Sequence, residues 1–338
     1  MIGMTNAGGS GTGCTLTITA PAGAAITVSN TAGKVKSKTV GANGLVAFRG
    51  LTEGTWTITI TNGTDTATKT VEIKADYQAA ISFNTIPEFT YTGDFEIVSD
   101  DDQPITVSQG NWKIRFLTSG TLTFTSLNGA ENGIDVFLVG GGSGGSRAAG
   151  GGGYTKTMKA VKVSVGTAYL IEVGAGGTAG VGNNKAGGSG GTSNAFGASA
   201  NGGEANTSAS SFRGSNGGSG GGAGSANGAG GKGGSDGSDG FDRNGRHQDS
   251  GTGQGTTTRE FGESGGKLYA GGGGGCCTSA SKGGSGGEGG GGSGGNTSGG
   301  ATSGETNTGG GGGGAANNKA GGSGGSGIVV IRNAREVA

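Results

Sequence analysis

The chain has 338 residues, of which 30% are hydrophobic, with 23 Lys and Arg set against 23 Asp and Glu and a single histidine. That balance offers no basic field to a phosphate backbone and no acidic tail, so nucleic acid is not an expected partner. No apolar run reaches spanning length, and the start Met1-Ile2-Gly3-Met4-Thr5-Asn6 lacks a basic region and an apolar leader, so neither membrane insertion nor export by a signal peptide is expected.

In chain order, residues 1–13 read as a flexible leader. Residues 14–83 read as an all-β sandwich, because apolar and polar residues alternate in Leu16-Thr17-Ile18-Thr19, Ile26-Thr27-Val28, Leu45-Val46-Ala47-Phe48, Trp56-Thr57-Ile58-Thr59-Ile60 and Thr70-Val71-Glu72-Ile73. Asn-Gly at 43–44 and 62–63 predicts hairpins, and Trp56 is the expected core anchor. Cys14 stands alone and Cys276-Cys277 are adjacent, where a direct bridge is strained. All three are expected to be structural or free thiols.

Residues 84–133 read as a β-rich connector, with strands at Phe89-Thr90-Tyr91, Phe95-Glu96-Ile97-Val98, Trp112-Lys113-Ile114-Arg115-Phe116 and Thr121-Leu122-Thr123-Phe124. Asp100-Asp101-Asp102 is expected to form a solvated turn rather than a calcium site, since no further ligand spacing accompanies it.

Residues 134–332 form the largest region. From 140 to 327 lie 72 of the 89 glycines and no proline. Such a tract usually means a linker, because glycine loses the most backbone freedom on folding and buries nothing. Here it opens with Ile134-Asp135-Val136-Phe137-Leu138-Val139 and closes with Ile328-Val329-Val330-Ile331-Arg332, two buried-strand patterns that would pin both ends. Collagen needs glycine at every third position and abundant proline, whereas 271–275 and 309–314 are unbroken glycine.

The remaining way to order the tract is side-by-side packing of polyglycine-II helices, in which missing side chains let neighbouring backbones hydrogen-bond. Ordering costs roughly 1–2 kcal/mol per residue and each backbone hydrogen bond returns about 0.5–1.5 kcal/mol, so most amides must be paired. Strands at 154–158, 161–165 and 169–173 would join the two clamps in a small β base. The segment 183–191 recurs unchanged at 317–325, which predicts a repeated unit, a turn leading into an extended helix. Residues 333–338 read as a tail. Essentially no α-helix is expected anywhere.

Side-chain diversity collects in the loops 204–216, 235–270, 276–282 and 296–308. Aromatic and arginine side chains on rigidly held loops suit recognition, which makes Phe212, Arg213, Phe241, Arg243, Arg246 and His247 the candidate recognition residues. Phe196, Phe261 and Tyr269 are expected instead to cap the ends of the bundle. No phosphate loop or dinucleotide fingerprint sits in a strand–turn–helix setting. His247 is the sole histidine, so neither a catalytic triad nor a metal site is expected, and no cofactor is implied. The aspartates of 236–242 fit no calcium-loop pattern and read as a polar turn.

The framing strands, the stretch Arg259-Glu260-Phe261-Gly262-Glu263 to Tyr269-Ala270-Gly271, and the close Gly327-Ile328-Val329-Val330-Ile331-Arg332 together resemble the glycine-rich domain of bacteriophage and prophage tail proteins. In architecture the tract resembles polyglycine-II adhesins at tail-fibre tips. The N-terminal layout, with Phe48-Arg49-Gly50-Leu51 and Trp56, resembles carboxypeptidase-regulatory-like and immunoglobulin-like modules. These resemblances imply a non-enzymatic virion protein at the phage tail, a receptor-binding adhesin whose loops attach the particle to a host cell-surface glycan or protein. Its other implied partners are further virion tail proteins and copies of itself. The alternative is a structural decoration or fibre spacer without receptor binding.

Overall fold

The computed structural model describes residues 14–62, 65–74, 78–82, 86–105, 111–181, 184–206, 212–224, 257–278 and 283–335. The chain is all-β, and among the described residues only one short 3-10 turn interrupts strands, turns and extended segments. It divides into two compact units. One comprises the chain up to Phe89 with Ile97–Lys113 and Phe124–Asn132; the other comprises Thr90–Glu96, Ile114–Thr123 and the chain from Gly133 onward.

The first unit holds β1 (Cys14–Thr19), β2 (Ala25–Asn30), β3 (Val35–Thr39), β4 (Leu45–Leu51), β5 (Gly54–Asn62), β6 (Asp65–Ile73) and β7 (Gln78–Ser82). They form a four-stranded sheet, β3-β2-β5-β6, and a three-stranded sheet, β4-β1-β7. Period-two alternation sends Leu16, Ile18, Ile26, Val28, Phe48, Ile58 and Ile60 into one core with Trp56, which is 1% exposed. The indole Nε1 of Trp56 donates to the Thr52 carbonyl at 2.9 Å. Cys14 Sγ donates to the Lys74 carbonyl.

One expected hairpin is absent. The Asn43-Gly44 turn, with Gly44 at φ +70°, carries the chain from β3 in one sheet to β4 in the other. β3 is exposed along its whole length. Its lysines face the free edge of β4, Lys36 Nζ donating to the Arg49 carbonyl at 2.6 Å and Lys38 Nζ to the Ala47 carbonyl at 2.7 Å. Edge lysines of this kind block edge-to-edge pairing. The acidic segment is a turn with Asp100 and Asp101 exposed, as expected, and Lys113 ties it down by pairing with Asp102 and donating to the Asp100 carbonyl.

The remaining ten strands form two five-stranded sheets, whose residues fall mostly in the second unit. Their strands are β8 (Phe89–Tyr91), β9 (Phe95–Val98), β10 (Lys113–Phe116), β11 (Gly120–Phe124), β12 (Ile134–Val139), β13 (Thr155–Val161), β14 (Ala168–Glu172), β15 (Ser193–Ala195), β16 (Ala198–Ala200) and β17 (Ile328–Asn333). The orders are β13-β12-β17-β10-β9 and β16-β15-β14-β11-β8. The two clamping strands pair with each other, antiparallel, from Ile134↔Asn333 to Val139↔Ile328. Both are buried on both faces, as their mostly apolar sequences require, and the one charged residue buried in each, Asp135 and Arg332, pairs with the other.

Between these clamps the glycine segments contain almost no strand. Their backbone hydrogen bonds instead advance in steps of three residues. In segment 140–146 the amides of Gly140, Gly141 and Gly142 donate to Tyr154, Gly191 and Gly325, and those of Ser143, Gly144 and Gly145 return to Gly151, Gly188 and Gly322. Its carbonyls at Gly141, Gly142 and Ser143 accept from Gly203, Gly177 and Gly312. Segment 140–146 is thus enclosed by six others.

The nine-residue repeat is explained by the same bonds. Gly188 and Gly191 accept from Gly144 and Gly141, while their repeat equivalents Gly322 and Gly325 accept from Gly145 and Gly142. Gly188 and Gly191 donate to Thr178 and Ala175, as Gly322 and Gly325 donate to Gly313 and Gly310. Segments 175–181 with 184–191, and 310–316 with 318–325, are therefore corresponding antiparallel pairs next to the central segment, joined to each other where Gly321 and Gly324 donate to Gly180 and Gly177.

Candidate binding face

The end of the bundle nearest the sheets is sealed. Phe137, Val139, Ile328 and Val330 pack with Phe261 and Tyr269, whose rings lie 5.9 and 5.4 Å from that of Phe137. Beside them Asp135, fully buried, accepts from Arg332 Nε at 3.1 Å and Lys159 Nζ at 3.2 Å. Arg332 also grips Glu263 with both terminal nitrogens and lies 4.0 Å over the Phe261 ring. The hydrogen bond from Arg332 holds the Glu263 carboxyl below its ordinary pKa, with the charge of Lys159 adding to the effect.

These contacts correct the reading of 235–270 as one display loop. Its last part belongs to the base, because Thr258 and Glu260 are buried, Glu260 accepts from the Tyr269 hydroxyl at 3.1 Å, and Tyr269 is fully buried. Likewise, in 296–308 only 296–300 is a turn at the far end. From Thr302 to Glu305 the chain hydrogen-bonds to Ser293, Ser323 and Gly290 as another extended segment, which ends in a second turn at 306–309 beside the base. Phe196 stacks on Tyr169 at 5.1 Å.

The opposite end is formed by turns. The central segment ends in the bend at Arg147, where Gly180 and Ala315 donate to the carbonyls of Gly145 and Ser146. The two corresponding pairs turn there as well, one residue out of register. Asn184 donates to the Val181 carbonyl in one and Lys319 to the Ala316 carbonyl in the other, and Val181 bridges to both Lys185 and Ala320. Asn184 Nδ2 lies 3.4 Å from Asn318 Oδ1, so the two turns sit side by side. Asn184, Lys185, Asn317 and Asn318 are exposed.

Of the sequence-derived candidates, Phe212 is at this end, 39% exposed, with the Arg147 guanidinium 3.9 Å above its ring. Arg213 beside it is exposed. Phe241, Arg243, Arg246, His247 and the aspartates of 236–242 lie outside the described residues. Arg147, Asn184, Lys185, Asn318 and Lys319 were not singled out by sequence, although the repeat of Asn-Asn-Lys at 183–185 and 317–319 was the available signal. Among the described residues no group of three or more His, Cys, Asp or Glu could hold a metal ion.

No curated protein and no solved structure matches the chain. Residues 117–334 match the family model described as "Glycine-rich domain", a span that takes in the bundle and most of the strands that clamp it. The chain belongs to the glycine-rich domain family.

Proposed function

We propose that the chain is a receptor-binding adhesin of a phage virion, in which packed polyglycine-II rods hold a set of turns toward the host cell surface. The three-residue hydrogen-bond step supports the rods, since such a helix repeats every three residues and presents each third amide to one neighbour. The observation that carries the adhesin reading is the contrast between the two ends. One is closed by a buried aromatic and ionic cluster, and the other displays polar, exposed turns on a backbone-bonded scaffold. Loops held this way keep their shape without a hydrophobic core of their own, which lowers the ordering cost of binding. The resemblance to tail-fibre tip proteins supplies the virion setting. The chain acts by binding rather than catalysis, with other tail proteins and copies of itself as assembly partners.

The spacer reading is separated by replacing residues 225–256 with a Gly/Ser linker of equal length and changing Phe212→Ala and Arg213→Ala. Particles should assemble normally and lose adsorption to host cells. Unchanged adsorption would establish a stiff structural spacer instead.

A further inference from the structure

The chain enters the sandwich through β1 and, after β7, runs on to Thr90, the first residue of the second unit. These entry and exit strands are neighbours. They run parallel, in register from Thr15↔Gln78 to Thr19↔Ser82, whereas the β1–β4, β2–β3, β2–β5 and β5–β6 pairs are antiparallel. Direction decides how a pull is met. Tension between the chain before Cys14 and the second unit draws β1 toward its own start and β7 toward its own end, so the two are forced to slide along each other. All the hydrogen bonds between them then carry load together. Had β7 run the other way, the same pull would open the pair from one end, a rung at a time.

β1 is held by more than β7. It lies between β4 and β7, and its Leu16 and Ile18 are fully buried in the core around Trp56, so sliding it drags two apolar side chains through that core. Lys36 and Lys38, reaching across from β3, bond the carbonyls of Arg49 and Ala47 and tie β4, the other neighbour of β1, to the opposite sheet. We propose that the sandwich is a tension-bearing link, which keeps its fold when the chain before Cys14 is pulled away from the second unit. Resistance of this kind is a rate, set by the barrier along the direction of the load and not by equilibrium stability. It follows from the topology of the sandwich alone and stands whether the second unit binds a receptor or acts as a spacer.

The test is stretching of single molecules of the full chain with optical tweezers along two directions. In one, handles at the N-terminus and on Glu88→Cys load β1 against β7. In the other, handles on Glu53→Cys and Lys74→Cys flank the Gly54↔Ile73 pair and peel β6 from β5. Glu53, Lys74 and Glu88 are exposed, and the native Cys14, Cys276 and Cys277 are buried. The first direction should need a several-fold higher force and release, in one step, about 24 nm of chain from Cys14 to Ser82 at ~3.5 Å per residue. β7 is at the edge of its sheet, and its amides point alternately to β1 and away from it, so one of Ala79→Pro and Ala80→Pro removes a bond to β1 and the other does not. That one alone should lower the force in the first direction, and neither should change the second. Equal forces in the two directions, release in many small steps, or a force untouched by both prolines overturns the proposal. Where a proline variant fails to fold, the comparison of the two directions decides by itself.

Discussion

A methyl group at Gly144 would occupy the space of the Thr178 carbonyl oxygen, and one at Gly153 that of the Gly140 carbonyl. Glycine is required there by the approach of one backbone to another, with no demand on the φ angle. Gly144→Ala should therefore destabilise the second unit by about 1–3 kcal/mol or more, the cost of overpacking against atoms that cannot move aside. At Gly300, which is exposed and has open space around its Cβ direction, the same change should lie within about ±0.5 kcal/mol. Thermal unfolding of the two variants gives the comparison. Asp135→Ala removes a partner from the buried Arg332 and should cost about 3–5 kcal/mol by the same assay. Two groups add a dependence on pH. Glu263 has a folded pKa depressed by Arg332, so its contribution is present above the ordinary carboxyl range and is lost as pH falls through the folded value. Tyr91 is raised to about 12 by burial and then by the charge of Asp94. Its contribution is full below pH ~10 and disappears between there and about 12. A stability profile of Tyr91→Phe should be flat over that alkaline interval where the parent falls.

Along the glycine segments the unit of structure is three residues, because the amides of a segment point in turn to three neighbours. Inserting one glycine within 140–146 should rotate every later amide toward the wrong neighbour and prevent the bundle from forming. Inserting three glycines at the 296–300 turn, outside the bonded run, should be tolerated. Hydrogen exchange should report this directly, with Gly142, Gly144 and Gly145 strongly protected in the parent and exchanging freely in the one-residue insertion. The sequence exposed the strands and the clamps well, since Trp56, Phe137 and Val330 stand in patterns that only buried strands explain. The repeat at 183–191 and 317–325 was equally visible. What could not be read was which segment lies beside which, because a run such as 309–314 presents the same surface to every neighbour. The crossing at Asn43-Gly44 was hidden for a related reason, since it depends on partners remote in sequence, whereas the capping of the base by Phe261 and Tyr269 was expected from their place among the glycine runs.

At the scale of the whole chain, each compact unit has its own buried core, the first around Trp56 and the second around Phe137 and Tyr269. Calorimetry should resolve two transitions. Trp56→Ala should lower one of them, at a cost of about 3–5 kcal/mol, and leave the other in place; a single transition shifted as a whole would show that the units unfold together. The second unit also has an order of events built into it. β12 opens the bundle and β17, its hydrogen-bonded neighbour, closes it, so every glycine segment is synthesised before the strand that completes the base. Contacts this distant in sequence form slowly. On the ribosome the tract must wait as an open chain until Ile328–Asn333 emerges, and a message truncated anywhere inside it yields a product with no closed base. Such a product would be open to cellular proteases.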